Sequence, residues 1–319
     1  MQTYLKTKPV WIQLLLFIGM AFGLFMILTL VGTILLSKIT GVGLLEIRDI
    51  DKWDPKDPRM IYFIRGLLLI QFLGLFLIPS LLFAYFSDPK PFRYLGLKQP
   101  NKNIYWILAV VIMFLAIPAV EYIGMLNQKM SLGADTQKWM KSMEEEAAKQ
   151  IQFMLAKHTV GELITNLIFI SLFAGVGEEL FFRGILQRLF IRAFKNPWMG
   201  IVFTAAIFSA FHFQFFGFFP RLALGVVLGV IYWYSGSLWA AIIAHFIYDA
   251  FIIVLVYINP EIAKNPDQSI MNANSLLPLA VVSIALTVWL ILIMKKNSSI
   301  TYAEVYRDDK PSEVDNLSF

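Results

Sequence analysis

The chain has 319 residues, 58% of them hydrophobic and only 15% charged, with a formal net charge of +5 and a mean hydropathy of +0.67. Soluble domains run about 45–50% apolar and about 25% charged, so this composition excludes a soluble globular protein and specifies an integral membrane one. There is no cysteine, which excludes disulfides, thiolate nucleophiles and cysteine-ligated metals.

The apolar runs are continuous rather than alternating, which points to membrane helices and not to a transmembrane barrel. The reading is an all-α polytopic membrane protein with eight spans, at 11–37, 61–86, 104–126, 161–190, 198–216, 218–235, 237–258 and 277–294. The first follows Lys6 and Lys8 as a signal peptide would, but it continues from Trp11 to about Leu36. That is well beyond the 7–15 residues of a cleavable core, so a retained helix is expected. The fourth is longer than a membrane needs, so one end should protrude. Gly217, Pro220 and Ser235-Gly236-Ser237 divide the nearly continuous block that follows it.

The connection 38–60 is mixed in charge. The connection 127–160 has helical spacing of Trp139, Met140, Met143, Ile151, Met154 and Leu155, expected as a helix on the membrane surface or as a lid. Residues 295–319 read as a loose polar tail. The chain divides into 1–160 (amino-terminal spans and amphipathic connection), 161–258 (a polar-bearing helical core) and 259–319 (last span and tail). An even number of crossings puts both termini on one face, and lysines and arginines beside the helix ends make that face cytoplasmic, in a cell membrane. The same placement explains the pI near 9.2 without a nucleic-acid partner.

Within the fourth span Glu178 and Glu179 stand side by side, with Arg183 after them; His212 lies in the fifth, and His245 and Asp249 in the seventh. Each ionisable group at that depth costs several kcal/mol unless it pairs, lines a cavity or does chemistry. At about 1.5 Å per residue, Glu178 lies roughly 18 Å from the face that carries the termini, His212 roughly 21 Å, and His245 and Asp249 roughly 12 and 18 Å. One layer of the bilayer therefore holds them all. Glu179 and Arg183 have the i, i+4 spacing of an ion pair, as do His245 and Asp249 for facing the same way. That leaves Glu178 about 100° away and unpaired, flanked by the small residues Ala174, Gly175 and Gly177, which admit a neighbouring backbone.

Such a group can hydrolyse an amide: a buried glutamate takes a proton from water, one histidine holds that water, and a second stabilises the oxyanion. Alternatively a divalent metal such as zinc sits between His212, His245 and Glu178 and acidifies bound water. There is no HExxH motif, and the two histidines stand on different helices, so the metal-free scheme is favoured. Of the remaining features, His158 reads as solvated, Arg65 and Glu121 as residues that snorkel or pair near span ends, and Gly225-VVL-Gly229 as a packing face.

Glu178-Glu179-LFF-Arg183, Phe208-SAF-His212 and His245-FIY-Asp249, in that order and each inside a membrane run, resemble the three motifs of the CPBP family. These are intramembrane proteases of the CAAX prenyl endopeptidase and bacteriocin-processing (Abi) type. The resemblance covers about residues 160–258. It implies that Glu178 activates water, His212 helps hold it, and His245 with Asp249 stabilises the oxyanion, while Glu179 and Arg183 are mainly architectural. The prenyl-endopeptidase branch carries Asn where this chain has Asp249, and ionised Asp accepts but does not donate. Asp249 is instead expected protonated, orienting His245, or on a metal. The expected partners are the bilayer and a hydrophobic or lipidated peptide. The competing readings are an inactive immunity or scaffold protein, and a proton-coupled transporter, which would show internal repeats that this chain lacks.

Overall fold

A computed structural model describes residues 3–48, 53–54, 56–130, 133–264 and 273–305. The part of the expected tail beyond residue 305 lies outside them, as does some of the charged connection 38–60. The described residues are helical, in the order α1 (Val10–Thr40), α2 (Pro58–Ser87), α3 (Ile104–Gln128), α4 (Ala134–Leu155), α5 (Val160–Phe194), α6 (Pro197–Ala210), α7 (Phe218–Ser235), α8 (Leu238–Ile258) and α9 (Ala273–Asn297). Seven of these helices are long and apolar enough to cross a membrane, and α6 is a shorter apolar helix.

Local chemistry sets the boundaries. Pro58 opens α2 behind Asp57, whose carboxylate accepts from the Arg59 amide, and Pro197 opens α6 behind Asn196, whose side chain accepts from the amides of Trp198 and Met199. Thr159 caps α5. Gly41 (φ 74°) ends α1 and Gly236 (φ 65°) ends α7, each in the left-handed conformation that stops a helix without a Cβ penalty.

Helix α5 is the centre of the bundle: every residue from Glu179 to Gln187 is buried. On one side α1 and α2 pack a core of Phe17, Phe76, Phe83, Phe181 and Phe182 against it. On the other, α3, α7, α8 and α9 share a second core around Tyr105, Ile112, Ile231 and Ala244. The many phenylalanines are thus largely packed between helices, with Phe181 touching Phe17 at 4.8 Å and Phe76 at 5.7 Å between ring centres. Helix α1 buries only Gln13, Leu14, Phe17 and Ala21, as a peripheral span should.

Two expectations need correction. Helix α5 is not α-helical throughout. Leu167–Leu172 and Glu179–Gln187 are wound as π-helix, as is Phe72–Leu77 in α2. Phe72–Leu77 has no polar residue, and Leu167–Leu172 only Ser171, whose phase could reveal the wider winding, and such stretches collect at functional sites. The start of the tail is also not loose: α9 continues to Asn297, Lys102 Nζ donates to Asn297 Oδ1 at 3.0 Å, and Asn101 Nδ2 donates to Ser299 Oγ at 3.2 Å.

Helix α4 buries Met140, Phe153 and Met154 and exposes Trp139 and Ile151. It docks on the beginning of α2, where Phe153 and Met154 join Met60, Ile61 and Phe63. Arg65 pairs with Glu162 and Asn166 across the same region. His158 is exposed.

Candidate active site

The seam between α5, α6, α7 and α8 gathers the polar groups. Glu179 Oε1 accepts from Arg183 at 2.6 Å and also contacts His245 Nδ1 at 2.8 Å, with Glu179 and Arg183 both fully buried. The expected i, i+4 ion pair therefore forms, and it does more than support the fold: Glu179 orients the ring of His245. On the other edge of that ring, Nε2 stands 3.4 Å from Asp249 Oδ2. Charge-assisted N–H···O bonds run about 2.7–2.9 Å, so His245 is held tightly by Glu179 and loosely by Asp249.

Close backbones make this arrangement possible. A Cβ on Gly175 would stand 3.1 Å from the Phe246 amide nitrogen, so α8 approaches α5 where the sequence is small. Ser171 Oγ donates to Phe246 O at 2.8 Å beside it. On α7, Arg183 Nη2 donates to Gly225 O at 3.1 Å and Gln187 Nε2 to Gly229 O at 3.0 Å. The Gly225–Gly229 stripe is a packing face whose carbonyls also satisfy two buried donors of α5.

Phe208 is the residue whose importance the pattern alone conceals. The Arg183 guanidinium lies 4.6 Å over its ring, and its edge-on partners are Phe182 at 5.2 Å, His212 at 5.1 Å and His245 at 6.2 Å. One aromatic ring spaces both histidines and covers the ion pair.

The structure moves His212 off the helix. The fifth span was expected over 198–216, but α6 stops at Ala210 and His212 lies in the turn after it, ahead of Phe213 (φ 53°). The amides of His212 and Phe213 still donate to Ser209 O and Ala210 O, and tertiary hydrogen bonds hold the residues after them. Asn127 Nδ2 donates to Phe215 O and its Oδ1 accepts from the Phe219 amide, both at 2.9 Å; Glu144 Oε1 accepts from the Phe216 amide at 3.0 Å. Arg221 donates to the carbonyl and side chain of Gln214. A helix of 14 residues spans about 21 Å, short of a hydrocarbon core of about 30 Å. Irregular backbone at such depth is tolerated where it is buried in protein or lines a water-filled cavity.

His212 Nδ1 lies 2.9 Å from Phe208 O. A carbonyl only accepts, so Nδ1 carries a proton, and in the neutral form of the ring Nε2 is the acceptor. The charges near enough to act on His212 include His245, Asp249 and Arg221, and those acting on Glu178 are His245, Asp249, Glu179 and Arg183. Glu178 itself, half-buried, makes no hydrogen bond or ion pair to another described residue. Among the described residues, no three His, Asp or Glu side chains form a group that would hold a metal.

Ionisable side chains from α5, the turn after α6, and α8 thus lie in a multi-pass membrane protein, and Glu178 among them makes no hydrogen bond or ion pair to another described residue. Residues 160–251 match the family described as type II CAAX prenyl endopeptidase Rce1-like, so the resemblance carried by the three motifs holds over that segment. A similar protein is "Uncharacterized protein YpbD" of Bacillus subtilis (strain 168), 33% identical over 91 residues, covering 27% of this chain and 43% of that relative. No solved structure matches.

Proposed function

We propose that the chain is an intramembrane endopeptidase that hydrolyses a peptide bond of a hydrophobic or lipidated peptide, with Glu178 activating the water. The observation that carries this reading is a contrast between neighbours: Glu179 Oε1 is bonded to both Arg183 and His245, while the adjacent Glu178 has no hydrogen-bond partner among the described residues. The match of residues 160–251 to a prenyl endopeptidase family supports the same chemistry.

Glu178 takes a proton from water as the water oxygen bonds to the scissile carbonyl carbon. His212 Nε2 accepts a hydrogen bond from the water's other O–H, which stays on the oxygen, in the tautomer that its bond to Phe208 O selects. The oxyanion is stabilised by the Nε2–H of a doubly protonated His245, whose Nδ1–H is held by Glu179 and whose Nε2 lies at the looser distance of 3.4 Å from Asp249. As the carbon–nitrogen bond breaks, Glu178 returns its proton to the leaving amine. Asp249 acts as a loose orienting partner for His245.

His212 and His245 stand on different elements with no short ligand motif to pre-organise them for a metal. We therefore favour the metal-free scheme. The termini are assigned to the cytoplasmic side of the cell membrane, because Lys6, Lys8, Arg188, Arg192, Lys295 and Lys296 border helix ends on that face.

Purified protein in liposomes, offered prenylated and unprenylated hydrophobic peptides, is expected to cut at one bond. In ¹⁸O-water the new carboxylate should carry one heavy oxygen. Absence of any cut together with proton flux across the liposome would replace this reading with the transporter.

A further inference from the structure

We propose that Asn127 and Glu144, on helices outside the family-matched segment 160–251, are positioning residues that aim His212. This rests on the hydrolytic role proposed for His212. In the turn 211–217 the backbone bonds that run on from α6 end with the amides of His212 and Phe213, which donate to Ser209 O and Ala210 O at 3.3 and 3.1 Å, and no helix fixes the residues that follow. Its carbonyl at Phe215 and its amide at Phe216 are bonded instead by Asn127 Nδ2 of α3 at 2.9 Å and Glu144 Oε1 of α4 at 3.0 Å. The same Asn127 side chain accepts from the Phe219 amide at 2.9 Å, so one buried amide ties the turn to the first residues of α7. Trp139 adds a ring contact to Phe215 at 5.4 Å. An amide that donates and accepts at once fixes the turn in register, and Ala, Asp or Leu cannot reproduce both bonds.

Helix α4 thereby gains a part in the reaction without touching substrate. The bond from the Phe216 amide needs an oxygen at residue 144 but not a charge, while the carboxylate charge acts on Arg221, which holds Gln214 of the same turn. Glu144→Ala and Asn127→Ala are each expected to lower kcat about tenfold to a hundredfold with KM within about twofold, the scale on which small misplacements of catalytic groups act. Glu144→Gln should rescue most of the loss.

Because the chain has three histidines, isotope-labelled imidazole resonances can be assigned to His158, His212 and His245. In Asn127→Ala the His212 signals should shift or broaden while those of His245 stay in place. Unchanged His212 signals and unchanged kcat in both alanine variants would overturn the proposal, as would a loss in Glu144→Gln equal to that in Glu144→Ala. If Asn127→Ala does not fold, the pair at the half-buried residue 144 decides. Should the wild type cut no peptide, the hydrolytic reading falls, while the imidazole signals still decide the positioning.

Discussion

The two histidines of the site are held in opposite ways. His245 sits within α8, its Nδ1 locked 2.8 Å from a carboxylate that is itself bound to a buried guanidinium. His212 sits past the end of α6 in a turn whose backbone is held from α3 and α4. One side of the site is therefore a closed electrostatic network inside the helix bundle, and the other is a loop set by distant hydrogen bonds. A network of this kind fails as a unit when one member is removed, whereas a clamped loop loses precision by degrees. The lesson is that polar groups at equal depth need not be equally rigid, and substitutions on the two sides should fail differently.

The largest effect is expected on the closed side. Arg183→Met leaves Glu179 buried beside His245 without its cation, and breaking a buried pair by removing one partner costs about 3–5 kcal/mol. The variant should melt far earlier than the wild type in detergent and yield little folded protein. A melting point unchanged from wild type would put Glu179 and Arg183 outside the structural network.

Next in size is Glu178→Gln, which should lower cleavage about 10²- to 10⁴-fold, the usual contribution of a general base, while the melting point stays within a few degrees. Here the same layer of the bilayer shows loss of function without loss of fold, the converse of Arg183. Full activity in this variant would remove Glu178 from the proposed chemistry.

Much of this division is legible from spacing. Glu179–Arg183 and His245–Asp249 at i, i+4 and Gly236 as a helix stop follow from local rules and appear as expected. The Gly225–Gly229 face does too, packing within 3.0 Å of Ala205 for a Cβ at Gly225. The early end of α6, the bonds from Asn127 and Glu144, and the central place of Phe208 do not, because each depends on residues tens of positions away. The π-wound stretches are equally hidden, since a single Ser171 within Leu167–Leu172 gives no phase to read.

Smaller effects sharpen the role of Asp249. Asp249→Asn keeps a partner for His245 and adds a donor near the oxyanion, so turnover should hold or rise, measured as kcat on the same peptide. A chelator should leave the wild type unaffected. Activity that is lost with chelator, returns with zinc, and follows bound metal stoichiometrically would reverse the metal-free assignment and explain the aspartate as a ligand.

The central claim is that Glu178, His212 and His245 belong to one site, and the absence of native cysteine makes it directly measurable. Paired substitutions Glu178→Cys with His212→Cys, and Glu178→Cys with His245→Cys, can be tested with a short bifunctional thiol reagent in native membranes. Glu178→Cys with His158→Cys serves as the distant control. Rapid bridging of the first two pairs and none of the control is the expected result. Bridging of 178 with 212 no faster than of 178 with 158 would contradict the single site.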